Sequence, residues 1–216
     1  MEQHQPVCKA HTRRERRDAR ENRQRLLEAA KQLFAAQGVA ATTMKEIGHA
    51  AGVGPGTLYR HFADKGELCR ALIKDDIAVF QARVGARIEA EASGSPLARL
   101  DILLTTRVEI LEAHLPLFAA IDEALAGPRH TGRVRGPFDS WVHDQTVQLL
   151  GEALATGEVA LLDPVLTADT ILAAVSPPLY RYQRHTCGYS RERIIAGLRR
   201  LFVDGLRQLP IADSPT

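Results

Sequence analysis

The sequence of 216 residues has few cysteines, few aromatic side chains and no long uninterrupted apolar run. Its three cysteines, Cys8, Cys69 and Cys187, are too few and too scattered to predict a disulfide framework. Charged side chains interrupt the apolar stretch 102–121, so no segment reaches the roughly 18 apolar residues that suggest a membrane span. Residues 1–25 lack the apolar core of a secretory signal peptide. We therefore expect a cytoplasmic protein without a membrane segment.

The sequence also lacks the motifs of common enzymes. It has no nucleophile elbow, P-loop, dinucleotide-binding fingerprint or metal-binding helix motif, and the spacing of His114, His143 and the carboxylates assembles no catalytic site. A metal site normally needs three or four ligands, so His185 with Cys187 is a weak candidate, as is Cys69 for a redox sensor. We expect no catalysis, no cofactor and no metal ion.

The net charge of the chain is small, but its charged side chains are unevenly distributed along the sequence. The chain has 28 Lys and Arg against 26 Asp and Glu, a formal net charge of +2. Residues 1–65 hold twelve basic and seven acidic side chains, whereas residues 66–216 hold sixteen and nineteen. A basic first third predicts a polyanionic partner for that end of the chain alone.

The apolar residues repeat with helical periodicity along nearly the whole chain, which predicts an all-α protein. Gly38 is placed to end the first helix, capping boxes at Thr43 and Asp64 are placed to begin the second and fourth helices, and Pro55 to begin a short third. The predicted helices are about 20–37, 43–52, 55–62, 64–91, 96–113, 116–126, 136–156, 167–184 and 190–208, with a kink or break at Pro177-Pro178. We expect the termini, 1–18 and 209–216, to be poorly ordered.

Residues 43–62 have the pattern of a helix-turn-helix. Gly48 is expected where the two helices cross closely, and Gly52 in a turn with positive φ. The residues that carry a family resemblance are Leu26-Leu27-Glu28-Ala29-Ala30, Leu33-Phe34, Gly38, Thr42-Thr43, Ile47, Ala50-Ala51-Gly52-Val53, Gly56-Thr57-Leu58-Tyr59-Arg60-His61-Phe62, Lys65 and Leu68. Over these roughly 50 residues the chain resembles the N-terminal domain of TetR-type one-component repressors.

The resemblance implies a homodimer that binds a palindromic operator with its third helix in the major groove. It places Gly54, Pro55, Gly56, Thr57, Tyr59 and His61 against DNA, Lys65 on a phosphate, and Leu58 and Phe62 in the core. The amides that begin the second helix, with Thr42 and Thr43, form a further expected phosphate site. Gly54-Pro55-Gly56 departs from the family, which often has polar or larger side chains there, so we expect Tyr59, Arg60 and His61 to read bases.

An arginine-rich segment precedes the predicted first helix and contains Arg13, Arg14, Arg16 and Arg17. Two interpretations stay open for it. The segment is either a solvated tail or an arm that follows the DNA backbone or enters a minor groove.

The resemblance divides the chain into a DNA-binding domain, 19–65, and a regulatory domain, 66–208. It implies that the last two helices form a dimer interface, although the same residues would also suit a monomer core. The interface candidates are Ile171, Leu172, Val175, Leu179, Ile194, Ile195, Leu198, Leu201 and Phe202. The candidates for an effector pocket, each of which could instead be an internally satisfied core residue, are Arg107, His114, Phe118, Trp141, Gln145 and Tyr180.

The function predicted from the sequence is that of a ligand-responsive transcriptional regulator, with repression favoured. A small hydrophobic or amphipathic effector would release the homodimer from its operator by shifting a population of conformations. The alternative is a DNA-binding regulator or activator that has no small-molecule effector.

Overall fold

The computed structural model describes residues 8–91, 94–126 and 136–207. The described part is almost entirely helical, and one isolated bridge joins Val159 and Arg207. The expected all-α fold is confirmed. The helices are α1 Cys8–Gln37, α2 Met44–Ala50, α3 Pro55–His61, α4 Lys65–Leu72, α5 Lys74–Ala90, α6 Pro96–Leu125, α7 Pro137–Ala155, α8 Pro164–Ala174, α9 Pro177–Arg181 and α10 Arg191–Arg199, with π-helical turns Tyr182–Thr186 and Arg200–Asp204 after the last two.

A small apolar core joins α1, α2, α3 and the first half of α4. Gly48 allows α2 and α3 to cross, because a Cβ there would lie 3.1 Å from Leu58 Cδ2 and 3.3 Å from the carbonyl oxygen of Val53. Gly38 and Gly52 have φ of 83° and 64°, as their predicted positions after α1 and in the turn require. The buried residues of this core are Leu26, Leu27, Ala29, Ala30, Ile47, Ala51, Val53, Leu58, Phe62 and Leu68.

The helix caps agree with the sequence at α2 and differ in detail at α4. Thr43 and Glu46 form the predicted reciprocal capping box. Asp64 accepts a hydrogen bond from the Glu67 amide, but the Glu67 carboxylate accepts from the Ala63 amide at 2.7 Å instead of from Asp64. The second capping box therefore differs in one hydrogen bond: the carboxylate of Glu67 reaches past the N-cap residue Asp64 and binds the amide of the residue before it.

Several predicted boundaries were wrong. The first helix starts at Cys8 rather than near Arg20, so residues 8–18 are helical, while 1–7 and 208–216 lie outside the described residues. The single helix predicted over 64–91 is broken at Ile73, where φ is −95° and ψ is 3°. No glycine or proline marks that break. Ile73 is buried, so the chain changes direction at a core residue and lets α4 and α5 pack separately against α6.

Proline determines two other breaks. The predicted helices 96–113 and 116–126 form one helix, α6, that is kinked at His114 (φ −127°, ψ 21°), two residues before Pro116. The predicted break at Pro177-Pro178 is confirmed and separates α8 from α9. α8 begins at Pro164, not near residue 167, because Asp163 caps it by accepting from the Val165 and Leu166 amides.

The larger core surrounds α6, which contacts α4, α5, α7, α9 and α10. α4 belongs to both cores, since Leu68 packs with the small core and Cys69 with the large one. Gly66 is the point of closest approach: a Cβ there would lie 2.4 Å from Ala124 Cβ. The N-terminal helices are therefore docked on the second half of α6 through α4.

Candidate nucleic-acid interface and ligand cavity

α3 has one buried side and one side that faces solvent. Leu58 and Phe62 point into the small core, as predicted, and hold the helix against α1 and α2. Tyr59 is 54% exposed and Arg60 is exposed, on the opposite side. We call Gly54, Pro55, Gly56, Thr57, Tyr59 and Arg60 the α3 face; all are exposed except Thr57, which is half-buried.

α2 adds two basic side chains that the sequence analysis did not select. Lys45 and His49 are exposed and, with Pro55 and Tyr59, line a groove of about 380 Å³ between α2 and α3. Their spacing of four residues, opposite the buried Ile47, would have identified them as one helix face. The groove extends the cationic surface beyond α3.

His61 lies at the edge of the α3 face rather than on it. Its Nε2 is buried and has no hydrogen-bond partner within the described segments. Burial lowers the pKa of His61, and the positive charges of Arg60 and Arg23 lower it further. Both effects favour the neutral ring, and Nε2 is turned away from solvent, so a contact of His61 with DNA stays a prediction.

Thr42 and Lys65, which were predicted to contact phosphate, both have hydrogen-bond partners within the chain, and their phosphate contacts stay predictions. The Thr42 hydroxyl is buried and donates to the Gly38 carbonyl at 2.8 Å. Lys65 Nζ donates to the carbonyl oxygens of Val39 (3.0 Å), Ala40 (3.4 Å) and Thr42 (3.2 Å). An ammonium group has three N–H donors, and these bonds use all of them. Both side chains hold the α1–α2 loop.

The expected phosphate site at the start of α2 is occupied by a carboxylate of the same chain. Glu46 Oε2 accepts from the Thr43 amide and from the Thr43 hydroxyl, both at 2.7 Å. The hydrogen bond from the Thr43 amide is the main cause of the lowered pKa of Glu46. A negative charge therefore already lies at this helix end, and a phosphate contact through Thr43 and the neighbouring amides stays a prediction.

The arginine-rich segment lies on the first turns of α1. Arg16 and Arg17 are exposed, and Arg17 pairs with Glu21 at 3.3 Å. The side chains of Arg13 and Arg14 lie outside the described residues. Both interpretations of the segment remain predictions.

The six candidates for an effector pocket do not line a common cavity. Trp141 packs edge-on against Phe80, and Tyr180 donates to Glu112, which also binds Arg184. His114 lies 3.4 Å from Asp76 in a groove between α5 and α6. Gln145 is half-buried on α7. Trp141, Tyr180 and His114 are thus satisfied by their own chain, which is the alternative that the sequence analysis left open.

Arg107 and Phe118 do come together. The Arg107 guanidinium is 1% exposed and its carbon lies 5.2 Å from the ring centre of Phe118 and 5.0 Å from that of Phe138. Its Nη2 donates to Asp139 Oδ1 at 2.9 Å. Burial lowers the pKa of Arg107, and the charge of Asp139 opposes that shift. Arg107 also lines a cavity of about 360 Å³ with Asp122, Asp139, Asp169, Leu172, Ala173, Ser176 and Pro177.

A second cavity, of about 410 Å³, separates the α1–α2 loop from α6 and α9. Val39, Ala40 and Lys65 line one side, and Glu112, Leu115, Pro116, Ala119, Ala120, Glu123, Arg181 and His185 complete it. This cavity lies next to the close contact between Gly66 and α6. Its walls therefore belong to both cores.

Cysteine and metal chemistry have little support in the described residues. Cys69 is buried, and its burial raises the pKa of the thiol to about 12, so no reactive thiolate forms at neutral pH. Among the described residues no group of three or more His, Cys, Asp or Glu side chains could hold a metal ion. No helix of the same residues is long and apolar enough to cross a membrane.

Comparison with known proteins identifies the family. Residues 26–72 match the model of the bacterial regulatory proteins of the tetR family. A helix-turn-helix (HTH)-type transcriptional regulator of Staphylococcus aureus (strain USA300) is 49% identical over 65 residues, which are 30% of this chain and 35% of that protein. Residues 26–72 therefore belong to the tetR family. The matched family and relatives are transcriptional regulators, not enzymes. The match to the curated relative covers only about a third of its length.

Solved structures extend the likeness to the C-terminal helices. A TetR-family transcriptional regulator from Pectobacterium atrosepticum has a TM-score of 0.59 and 25% identity, covering 90% of this chain and 98% of that one. The fatty acid degradation regulator FadR from Bacillus halodurans has a TM-score of 0.62 and 20% identity, covering 87% and 97%. The second likeness shows the fold alone. Both halves of the described chain therefore have the helical architecture of these two structures.

The predicted interface residues fall into two groups. Ile171, Val175, Ile194 and Leu198 are buried within one chain, because α8 packs on α7 and α10 packs on α6. These four are core residues of the monomer, so their assignment to an interface was wrong. Leu179 and Leu201 are exposed, whereas Leu172, Ile195 and Phe202 are half-buried. The sequence analysis missed other exposed apolar side chains near them, Leu161, Val165, Leu166 and Tyr182.

Proposed function

We propose that this tetR-family protein is a DNA-binding transcriptional repressor that acts in the cytoplasm as a homodimer on a palindromic operator, and that a small effector releases it. The α3 face carries the proposal: a helix fixed by Leu58 and Phe62 presents Tyr59 and Arg60 to solvent. Tyrosine and arginine donate to phosphate oxygens and to base edges. Lys45 supplies a further cationic contact beside them, and His49 a further hydrogen-bonding side chain.

Two copies are needed for specificity. α3 has seven residues, so one copy contacts only a few base pairs. A two-fold dimer places two such helices in successive major grooves, about 34 Å apart or a multiple of that. The exposed apolar side chains Leu179, Tyr182 and Leu201 supply the surface for the second copy. A self-complementary patch of this kind is typical of a two-fold interface.

The two cores support the proposed division of the chain into a DNA-binding domain and a regulatory domain. Residues 19–65 contain most of the small core, and residues 66–208 form the proposed regulatory domain, with α4 shared between them. An effector in the C-terminal domain would change the relative orientation of the two α3 helices through α4, since Gly66 packs directly against α6. Binding energy that differs between the two orientations then shifts the population away from the DNA-bound form.

The test is a binding-site selection with the full chain from random DNA. We expect the recovered sequences to contain an inverted repeat whose half-sites are about 10 base pairs apart or a multiple of that. Tyr59→Ala with Arg60→Ala should abolish the selection, and Val79→Ala, an exposed position on α5, should leave it unchanged. Recovery of no common sequence, or of a single unrepeated half-site, would contradict the proposal. Reporter expression from the selected site then distinguishes repression from activation.

A further inference from the structure

The cavity beside Arg107 contains buried hydrogen-bond donors that the protein leaves unused. Arg107 Nε and Nη1 are buried and have no partner among the described residues, although Nη2 is bound to Asp139. A buried donor without an acceptor costs free energy comparable to a lost hydrogen bond. Arg107 itself lines the cavity, so we expect a ligand that displaces the side chains covering these two N–H groups to supply their acceptor.

The same cavity carries an excess of negative charge. Three carboxylates, those of Asp122, Asp139 and Asp169, face one guanidinium. Asp139 is bound by Arg107, and Asp169 Oδ1 lies 3.1 Å from His143 Nε2. The pKa of Asp122 is raised by burial and then by the charges of Asp139 and Glu123, while Arg181 opposes the shift. An anionic ligand would add to this repulsion, whereas a cation would relieve it.

The remaining wall is apolar. Leu172, Ala173 and Pro177 line it, and the Phe118 ring lies against the guanidinium. A ligand with a hydrocarbon or aromatic body would bury that surface, and its polar groups would be placed by the charged end of the cavity.

We propose that this cavity binds an apolar amine that also carries a hydroxyl or carbonyl oxygen, with its ammonium group beside Asp122 and its oxygen accepting from Arg107 Nε and Nη1. The proposal deepens the proposed function by naming the effector's chemical class. The proposed release from DNA rests on the proposed function, but the proposed ligand binding does not, since it requires no DNA.

Three probes of similar shape test the class in calorimetry with the full chain and no DNA. 2-Amino-1-phenylethanol has the ammonium and the hydroxyl, phenethylamine lacks the hydroxyl, and mandelate has the hydroxyl with a carboxylate. We expect saturable binding of the amino alcohol, weaker binding of phenethylamine, and the weakest binding of mandelate. Equal affinities, stronger mandelate binding, or no saturable binding of the amino alcohol up to about 10 mM would overturn the proposal.

Two variants locate the site. Asp122→Asn should weaken binding of the amino alcohol about tenfold or more, because it removes a charge-assisted hydrogen bond. Glu89→Gln, at an exposed carboxylate of α5 outside the cavity, is the matched control and should change nothing. Arg107→Lys should remove the advantage of the amino alcohol over phenethylamine, provided that its melting curve shows a folded protein. An unchanged affinity in Asp122→Asn would overturn the proposal whatever Arg107→Lys does.

Operator binding by the same preparations separates the two proposals. If the amino alcohol binds through Asp122 and the chain selects no operator, the ligand class stands and the proposed function fails. If the chain binds its operator and the amino alcohol does not bind, the function stands and the ligand class fails.

Discussion

Tyr59 has the most exposed aromatic ring of the N-terminal helices and is the strongest candidate for a DNA contact. We predict that Tyr59→Phe weakens operator binding about ten- to a hundredfold, because a hydrogen bond to a charged phosphate is worth about 1.5–3 kcal/mol. Tyr189→Phe is the control, since Tyr189 lies before α10, outside the α3 face and outside the proposed dimer surface. Fluorescence anisotropy with the selected operator measures both. Equal affinities for the two variants would show that the Tyr59 hydroxyl does not contact DNA.

Substitutions at Lys65 and Lys45 should have different effects, because we expect Lys65 to stabilise the fold and Lys45 to attract DNA by its charge. Lys65→Met should lower the free energy of unfolding by about 1–3 kcal/mol, because three carbonyl oxygens lose their donor. Its salt dependence of DNA binding should stay that of the unmodified protein. Lys45→Met should keep the stability and reduce the slope of log affinity against log salt by about one unit. Denaturant unfolding and anisotropy at several salt concentrations distinguish the two outcomes, and a flatter slope for Lys65→Met alone would reverse the assignment.

At the scale of the element, the contact of α4 with α6 is the tightest feature of the fold. We predict that Gly66→Ala destabilises the protein by about 1–3 kcal/mol, because the new Cβ would lie 2.4 Å from Ala124 Cβ. Ala124→Gly in the same chain should recover part of that loss by removing the opposing methyl group. Thermal unfolding measures each variant.

Gly85→Ala provides the control for Gly66→Ala. Gly85 lies inside α5 with nothing within 4 Å of its hypothetical Cβ, so alanine there should stabilise the helix by about 0.5–1 kcal/mol. Destabilisation of the same size at both positions would mean that the loss does not come from the contact with α6.

The elements also show where sequence reasoning worked and where it failed. The capping box of α2, the crossing at Gly48 and the turn at Gly52 were predicted because each depends on residues close in sequence. The break at Ile73 was missed because no local signal marks it: the break exists to let two helices pack on a third. The kink in α6 at His114 falls where the sequence analysis predicted a gap between two separate helices.

At the scale of the whole molecule, the exposed apolar side chains after α8 predict a dimer. We expect Leu201→Glu to yield a monomer of 23.7 kDa in light scattering and to weaken operator binding, because a charge would be buried in the interface. Val79→Glu is the control, since Val79 is similarly exposed on α5. A Leu201→Glu dimer with full operator affinity would place the interface elsewhere.

The sequence by itself determined the helical fold, the helix-turn-helix and the basic first third, because helical periodicity, caps and turn glycines are local properties. It also identified Tyr59 and Arg60 as solvent-facing residues of α3, since their spacing from Leu58 and Phe62 defines the opposite side. Only the tertiary structure decided how polar side chains are used. Lys65 bonds to carbonyl groups 23 to 26 residues away, and Arg107 meets Asp139, 32 residues away, beside an acidic cavity. Such pairings depend on how distant helices pack, and no spacing within one helix encodes them.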